Sequence, residues 1–335
     1  MGHDHDHSHD DVPHYVLELE DSADSREDIP CPVCDSWRWV PLYEGVGLRG
    51  NKLKLVACSN CSHFFITPRP TLEVFERFYA DDSYFHLCAD FSEVSLEDKM
   101  AQFEDDAFWK KRFEHGQRLY ENHLSDVLGP DDLVFDFGCG DGAWLGGLQQ
   151  ASGCAIDGEE ISPIYAEVIR RKFGVDIFVG PAEGLIDDIV EKHRAKAKVV
   201  IVSGSLQHML DPMRCLRAAR EMLTQDGRLY ICNWSIFDHF MASYGGAARR
   251  LVGEIVSWEH LHYFHELAFK YMVERAGFEI LSYAPESIVR PMHMEIVAKK
   301  TTADAPAPDP EEVAAVIHRV RAFESATIAD RLRIR

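Results

Sequence analysis

From Asp132 onward the chain alternates short apolar runs with stretches of helical period. The runs LVFDF (133–137), CAIDGE (154–159), VDIFV (175–179), KVVIVS (198–203) and RLYICNW (228–234) are separated by intervals long enough for a crossover helix. Strands of a parallel sheet carry this signature, because helices cover both of its faces. The end of the region breaks the pattern. FEILSYA (278–284) and HMEIVAKK (293–300) stand too close together for an intervening helix, so they are expected to pair antiparallel.

The flanks read differently. Residues 1–29 open on MGHDHDHSHD and continue acidic, which predicts a disordered His/Asp-rich tail, able to hold metal loosely or simply solvated like a tag. Residues 30–70 form a unit of short strand-like runs and paired cysteines. From Thr71 the pattern turns helical through LEVFERFYA and again from Leu96 to about Ser125, giving a connector and cleft cover over 71–128. The sheet domain occupies 129–300, and 301–335 is a Pro-rich linker with a final helix. There Asp309 is expected as N-cap, Pro310 at the first helical position and Glu312 as the partner in a capping box. Val313, Val316, Ile317 and Val320 give that helix an apolar stripe for packing on the body of the protein, with a dimer contact as the second use.

Composition narrows the partners. The 335 residues are 46% hydrophobic and 27% charged, enough for one large core and a smaller unit. A formal charge of -21, from 35 basic and 56 acidic side chains, opposes a phosphate backbone, so no nucleic-acid partner is expected. No apolar run approaches the ~20 residues that cross a bilayer. The N-terminus also lacks the cationic and then apolar order of a secretory signal. A cytoplasmic protein acting on a small molecule, as monomer or homodimer, is the expectation.

Four of the nine cysteines form a pattern. Cys31 and Cys34 make a CPVC knuckle, and Cys58 and Cys61 make a CSNC knuckle after 23 intervening residues, the spacing of a zinc ribbon. Four thiolates leave no open coordination position, so the Zn2+ is expected to be structural, holding folded a unit too small to do so alone. Asp35 and Ser62 follow the knuckles where a left-handed conformation is often needed. Cys88, Cys139, Cys154, Cys215 and Cys232 stand singly, and their thiols are assigned no chemistry.

The first apolar run ends in DFGCGDGA, a buried strand turning through Gly138, Gly140 and Gly142 into a helix. Such a turn brings backbone close to a ligand. The spacing also satisfies the relaxed dinucleotide fingerprint, so a nicotinamide cofactor has to be weighed. Charge separates the readings. Asp136 and Asp141 would oppose a pyrophosphate and suit the ammonium and sulfonium of S-adenosylmethionine. The second strand supplies an acid at the distance where one accepts both ribose hydroxyls, and between Glu159 and Glu160 the resemblance of SGCAIDGEEISP to the corresponding pattern of methyltransferases that use this cofactor implies Glu160.

DFGCGDG resembles the first motif of class I S-adenosylmethionine-dependent methyltransferases. LQHMLDPMRCLRAAREMLTQDGRLYI and WEHLHYFHELAFKYMVERAGFEI are similar to later segments of the same enzymes, so the resemblance spans about residues 130–300. It implies an α/β, Rossmann-like seven-stranded sheet with an antiparallel last strand, beside a small zinc-ribbon-like module. Cofactor contacts are then expected from Asp136, Gly138, Cys139, Gly140, Glu160, Ala182 and Ser203. Pro181 replaces a common Asp, which leaves adenine to the backbone of Ala182 and nearby apolar groups. CPVC, CSNC, TPRPT and FERFYADDSYF resemble a zinc-bearing subgroup that includes C-methyltransferases of nucleotide-linked deoxysugars, in which tyrosines like Tyr79 and Tyr84 cover the cleft. Where that subgroup carries a large third domain, residues 301–335 here are expected to form only the linker and final helix.

A methyl acceptor needs alignment and often a base. His208, past the fourth strand at the ligand-binding edge of the sheet, is the first candidate, with His260 and His262 behind it. Each could equally be a hydrogen-bonded structural histidine. Residues 235–257, with Gly245 and Gly246 as a hinge, are expected to form an acceptor lid. The leading class is a methyltransferase acting on a small molecule. A nicotinamide-dependent oxidoreductase and a scaffold that holds S-adenosylmethionine without turnover are the alternatives.

Overall fold

The computed structural model describes residues 25–48, 50–80, 96–237, 251–291 and 293–333. The His-rich opening, Tyr84, Cys88, the side chain of Tyr79 and residues 238–250 of the expected lid lie outside them. In chain order the N-terminal unit holds β1 (Arg26–Glu27), β2 (Trp39–Val46), β3 (Lys52–Cys58), β4 (Phe64–Ile66) and β5 (Arg69–Pro70). Helices α1 (Leu72–Ala80), α2 (Leu96–Phe103) and α3 (Asp106–Leu119) follow. The main domain runs β6 (Leu133–Phe137), α4 (Ala143–Ser152), β7 (Ala155–Glu160), α5 (Pro163–Phe173), β8 (Phe178–Val179), α6 (Ala182–His193) and β9 (Ala197–Ser203). It continues through α7 (Pro212–Met222), β10 (Leu223–Trp234), β11 (His262–Tyr263), α8 (Glu266–Arg275), β12 (Phe278–Ala284) and β13 (His293–Lys300), before the final helix α9 (Pro310–Arg333).

Seven strands form one sheet in the order β12-β13-β10-β9-β6-β7-β8. β6 to β10 are parallel, and β13 enters antiparallel between β10 and β12. The α/β, Rossmann-like sheet with an antiparallel last strand is therefore as expected. Period-2 alternation explains why its strands are apolar throughout. Phe135, Phe137, Val200, Val202, Leu229 and Ile231 belong to one core with Ile186, Ile189, Leu216 and Met272 of α6, α7 and α8. Their neighbours Val134, Val199, Ile201, Tyr230 and Cys232 belong to another, with Leu119, Leu145 and Leu148 on the α3 and α4 side.

Local signals set the helix ends. Asp211 accepts from Arg214 N and Pro212 opens α7, while Gly153 and Gly174 close α4 and α5 in the left-handed conformation. One close approach fixes the connector to the sheet domain. A Cβ on Gly147 would lie 2.2 Å from Phe113 O, and one on Gly116 2.2 Å from Trp144 O, so α3 and α4 cross with backbones touching.

The N-terminal unit is not a detached module. A four-stranded sheet runs β11-β4-β3-β2, so residues 262–263 of the main domain extend the cysteine-bearing sheet, with His262 paired to Phe65 and Tyr263 to Phe64. Residues 25–29, expected within the disordered tail, are ordered instead: Arg26 and Glu27 pair with Pro70 and Arg69. Apolar burial outweighs local polarity there, since Ile29 packs into the main core. Asp309 caps α9 through Glu311 N at 2.8 Å. Val313 and Val320 of α9 are buried, and Val316 and Ile317 pack on the cluster formed by β3, β4, α1 and Trp258.

Candidate active site

A cleft opens along the C-terminal ends of β6, β7 and β9, where an open α/β sheet binds ligands. Its floor is Gly138, Gly140, Glu159, Glu160, Gly204 and Ser205, and its far side holds Pro181, Ala182 and Glu183. Leu72 and Phe75 of α1 close it from the N-terminal unit, with Tyr165, His208, Met209 and Leu210 completing the wall. The glycine loop is held by the next strand: Gly138 N donates to Glu159 O at 2.9 Å and Gly140 N to Glu160 Oε2 at 2.8 Å. Gly138 has φ +69°, and a Cβ there would meet Ser205 Cβ at 2.5 Å, so no other residue fits the turn.

Glu160 is 4% exposed, and its Oε1 accepts from Ser162 N at 2.8 Å. Burial pushes its carboxyl up to about 7 against the pull of those backbone N–H groups. Asp136 and Glu159, each 3% exposed, are pushed well above the usual carboxylate range by burial and by the charge of Glu160. Asp136 Oδ1 has no hydrogen-bond partner. Three carboxyls crowded without a cation between them favour a cationic ligand and oppose a pyrophosphate. Asp141 pairs instead with Arg112 of α3 and accepts from Ala143 N at the start of α4.

The three candidate histidines separate. His208 lines the cleft, and its Nδ1–H donates to the Glu259 carbonyl at 2.8 Å, which leaves the Nε2 lone pair for a ligand. Burial holds its imidazolium pKa below the ordinary value. His260 stacks edge-on behind it, 4.7 Å between ring centroids, and meets Trp234 at 5.1 Å. His262 is directed away into the junction with the N-terminal unit: Nε2 bonds Met209 O at 2.8 Å and Nδ1 meets His63 Nε2 at 3.1 Å.

The four cysteine sulfurs converge. Their Sγ atoms lie within 4.8 Å of one another, with Cys31 and Cys61 at 3.6 Å and Cys34 and Cys58 at 3.5 Å. A tetrahedral ion with ~2.3 Å bonds to sulfur needs edges of about 3.8 Å, so the geometry fits zinc. Asp35 (φ 60°) and Ser62 (φ 58°) adopt the left-handed conformation behind the knuckles, as expected.

Of the expected cofactor residues, Gly138, Gly140, Glu160 and Ala182 line the cleft. Asp136, Cys139 and Ser203 are not among its lining residues. Burial, and after it the charge of nearby Glu160, pushes the Asp136 carboxyl and the Cys139 thiol up, and Ser203 sits one residue before the lining Gly204. Sequence reasoning set Glu159 aside in favour of Glu160, though both line the cleft, and missed Tyr165, Glu183, Leu72 and Phe75. Glu159 is the first acid of GEEISP; the others reach the cleft only through tertiary packing.

The fold and cleft together are those of a class I, S-adenosylmethionine-dependent methyltransferase. The family Methyltransf_23, described as a methyltransferase domain, matches residues 108–283, and the chain belongs to it. No protein of curated function matches the sequence. Among solved structures it is similar to a chain of the complex between the Haloferax volcanii Trm112 methyltransferase activator and a methyltransferase (14% identity, 58% of this chain and 95% of that one, TM-score 0.45). It is also similar to the CcbJ methyltransferase of Streptomyces caelestis (14% identity, 57% and 90%, TM-score 0.43). A third is an S-adenosylmethionine-dependent methyltransferase of Mesorhizobium loti (16% identity, 52% and 93%, TM-score 0.40). Among the described residues no helix is long and apolar enough to cross a membrane.

Proposed function

We propose that this methyltransferase acts on a small-molecule acceptor enclosed between the sheet edge and the N-terminal unit, with His208 as the base. The observation that carries the reading is the position of His208: it faces the cleft that holds Glu160 and the glycine loop, with Nδ1 committed to a backbone carbonyl and Nε2 unprotonated. Bound in that cleft, S-adenosylmethionine supplies an electrophilic methyl group on a sulfonium. Glu160 would accept hydrogen bonds from the ribose hydroxyls, the loop backbone at Gly138 and Gly140 would contact the methionine portion, and Ala182 with its apolar neighbours would take adenine. The cofactor's positive charge would draw the buried Asp136 and Glu159 carboxyls toward their ionised forms, which would then face it with negative potential. His208 Nε2 removes the acceptor's proton as its nucleophile attacks, and His260 and Trp234 hold the imidazole in place.

The acceptor class we favour is a nucleotide-linked sugar, supported by the resemblance of the CPVC, CSNC and TPRPT segments to sugar C-methyltransferases. Structural Zn2+ on Cys31, Cys34, Cys58 and Cys61 keeps the N-terminal unit folded, so that Leu72 and Phe75 reach the cleft. The test is formation of S-adenosylhomocysteine with a panel of nucleotide-linked deoxysugars, wild type against His208→Gln. Turnover that falls at least 100-fold in the variant while cofactor binding is kept supports the reading. Equal turnover removes His208 from it, and no turnover with any sugar in the panel removes the proposed acceptor class.

A further inference from the structure

Among the described residues, one cation packed on the cleft-lining Gly204, though not itself a lining residue, has no carboxylate partner. Arg290 lies in the turn between β12 and β13, and its guanidinium covers Gly204: a Cβ on Gly204 would come within 2.5 Å of Arg290 Nη1 and 3.4 Å of its Cζ. Gly204 itself lines the cleft at the end of β9. The turn is built to hold the arginine there. Ser287 Oγ accepts from Val289 N at 3.0 Å and Arg290 N at 2.9 Å and donates to Glu295 Oε2 at 2.5 Å. Glu295 is fixed in turn by Tyr230 at 3.1 Å and His123 at 3.0 Å, and the Val289 carbonyl by His115 Nδ1 at 3.1 Å.

Despite this scaffold, and a chain with 56 acidic residues, no carboxylate pairs with the Arg290 guanidinium among the described residues. Nearby Arg112 is satisfied by Asp141, and Glu295 is engaged by Ser287, Tyr230 and His123. Burial works most strongly against the Arg290 cation; the polar groups of Cys232 and Tyr230 offset it in part, and the Arg112 charge adds to it. A positioned, partly buried guanidinium without a counter-ion is costly, and an anionic ligand group would remove that cost.

Its place along the sheet edge selects the ligand group. Glu160 ends β7 and Gly204 follows β9, two strand spacings apart across β6, or about 10 Å. This is close to the separation between the ribose hydroxyls and the amino-acid carboxylate of S-adenosylmethionine. We propose that Arg290 binds the carboxylate of the methionine moiety over Gly204, making the cleft acidic at its ribose end and basic at its amino-acid end. This rests on the methyl-donor reading above. It makes Arg290 a cofactor-binding residue rather than a catalytic one.

The test compares S-adenosylhomocysteine with 5′-methylthioadenosine, which keeps the nucleoside and sulfur but lacks the amino acid, on wild type, Arg290→Met and Arg290→Lys. Expected is a loss of about 10- to 100-fold in S-adenosylhomocysteine affinity in Arg290→Met. Methylthioadenosine affinity should be unchanged and Arg290→Lys intermediate. If both ligands weaken equally, Arg290 only supports the fold and the proposal is overturned. Unchanged S-adenosylhomocysteine binding with a raised acceptor KM would assign the guanidinium to an anionic acceptor, and also overturns it. If the folded wild type binds neither ligand, the methyl-donor reading itself fails, an outcome distinct from the other two.

Discussion

The two halves of the cleft are made in different ways. The half proposed for the cofactor is local: one strand-turn-helix and the end of the adjacent strand place Gly138, Gly140 and Glu160, and hydrogen bonds from backbone N–H groups do most of the holding. The roof half is assembled from distant pieces. Leu72 and Phe75 come from α1, His208 and Met209 follow β9, Trp258 packs edge-on against Phe75 and Phe78, and Val320 of α9 joins the same cluster. Locally encoded geometry suits a fixed ligand, whereas a surface drawn from several segments can change its ligand without disturbing the sheet.

The largest expected effect probes the dependence of the roof on the cysteine unit. Cys58→Ser, or prolonged chelation, should release one zinc per chain and unfold β2 to β4, abolishing turnover, because metal binding in so small a unit is folding energy. Because β4 pairs with β11, and the Leu261 backbone N–H bonds Gln207 O at 2.7 Å, cofactor binding should weaken as well. Metal content and backbone hydrogen exchange on one sample check this; full exchange protection after metal loss would separate the two halves.

Next comes His208→Gln, with a loss of about 10²–10⁴ in kcat and unchanged S-adenosylhomocysteine affinity. A parallel loss of affinity would mean that the two halves are not separable at this residue. A smaller effect is expected from Gly147→Ala, which forces α4 away from α3 and should cost about 1–3 kcal/mol, read as a lower melting temperature with His208 chemistry intact.

The mildest prediction concerns pH. With the Glu160 carboxyl raised to about 7 in the folded, ligand-free protein, its ionised form gains as pH rises through that value. S-adenosylhomocysteine affinity should therefore increase by up to about tenfold between pH 6 and pH 8. The stability contribution has the opposite sign. A carboxyl pKa raised on folding means that the folded state binds the extra proton, so this contribution is fully present below the unfolded value and is lost as pH rises through about 7. Glu160→Gln should flatten the affinity curve and remove this one contribution from the stability curve, leaving those of Asp136 and Glu159, as calorimetric titration and melting across that range would reveal.

The same division decided what could be read from the sequence. The parallel strands, the antiparallel last strand and the glycine turn follow from contiguous apolar runs, and the proposed ribose acid from the resemblance of GEEISP to the family pattern, because neighbours in sequence are neighbours in the site. His262 was not legible. WEHLHYFH gives no sign that two of its residues add a strand to Phe64 and Phe65, nor that His262 bonds a histidine 199 positions away. Leu72, Phe75 and Arg290 were missed for the same reason. An arginine in a polar turn looks solvated until the Ser287–Glu295 scaffold places it over Gly204.

The central claim is that the cleft binds the methyl donor through Glu160, independently of the acceptor half. It is tested most directly by calorimetric titration of S-adenosylhomocysteine into wild type, Glu160→Gln and His208→Gln proteins of verified fold. The account predicts micromolar binding by wild type and by His208→Gln, and a loss of about 10- to 100-fold in Glu160→Gln. Absence of binding to folded wild type, or equal binding by Glu160→Gln, would contradict it.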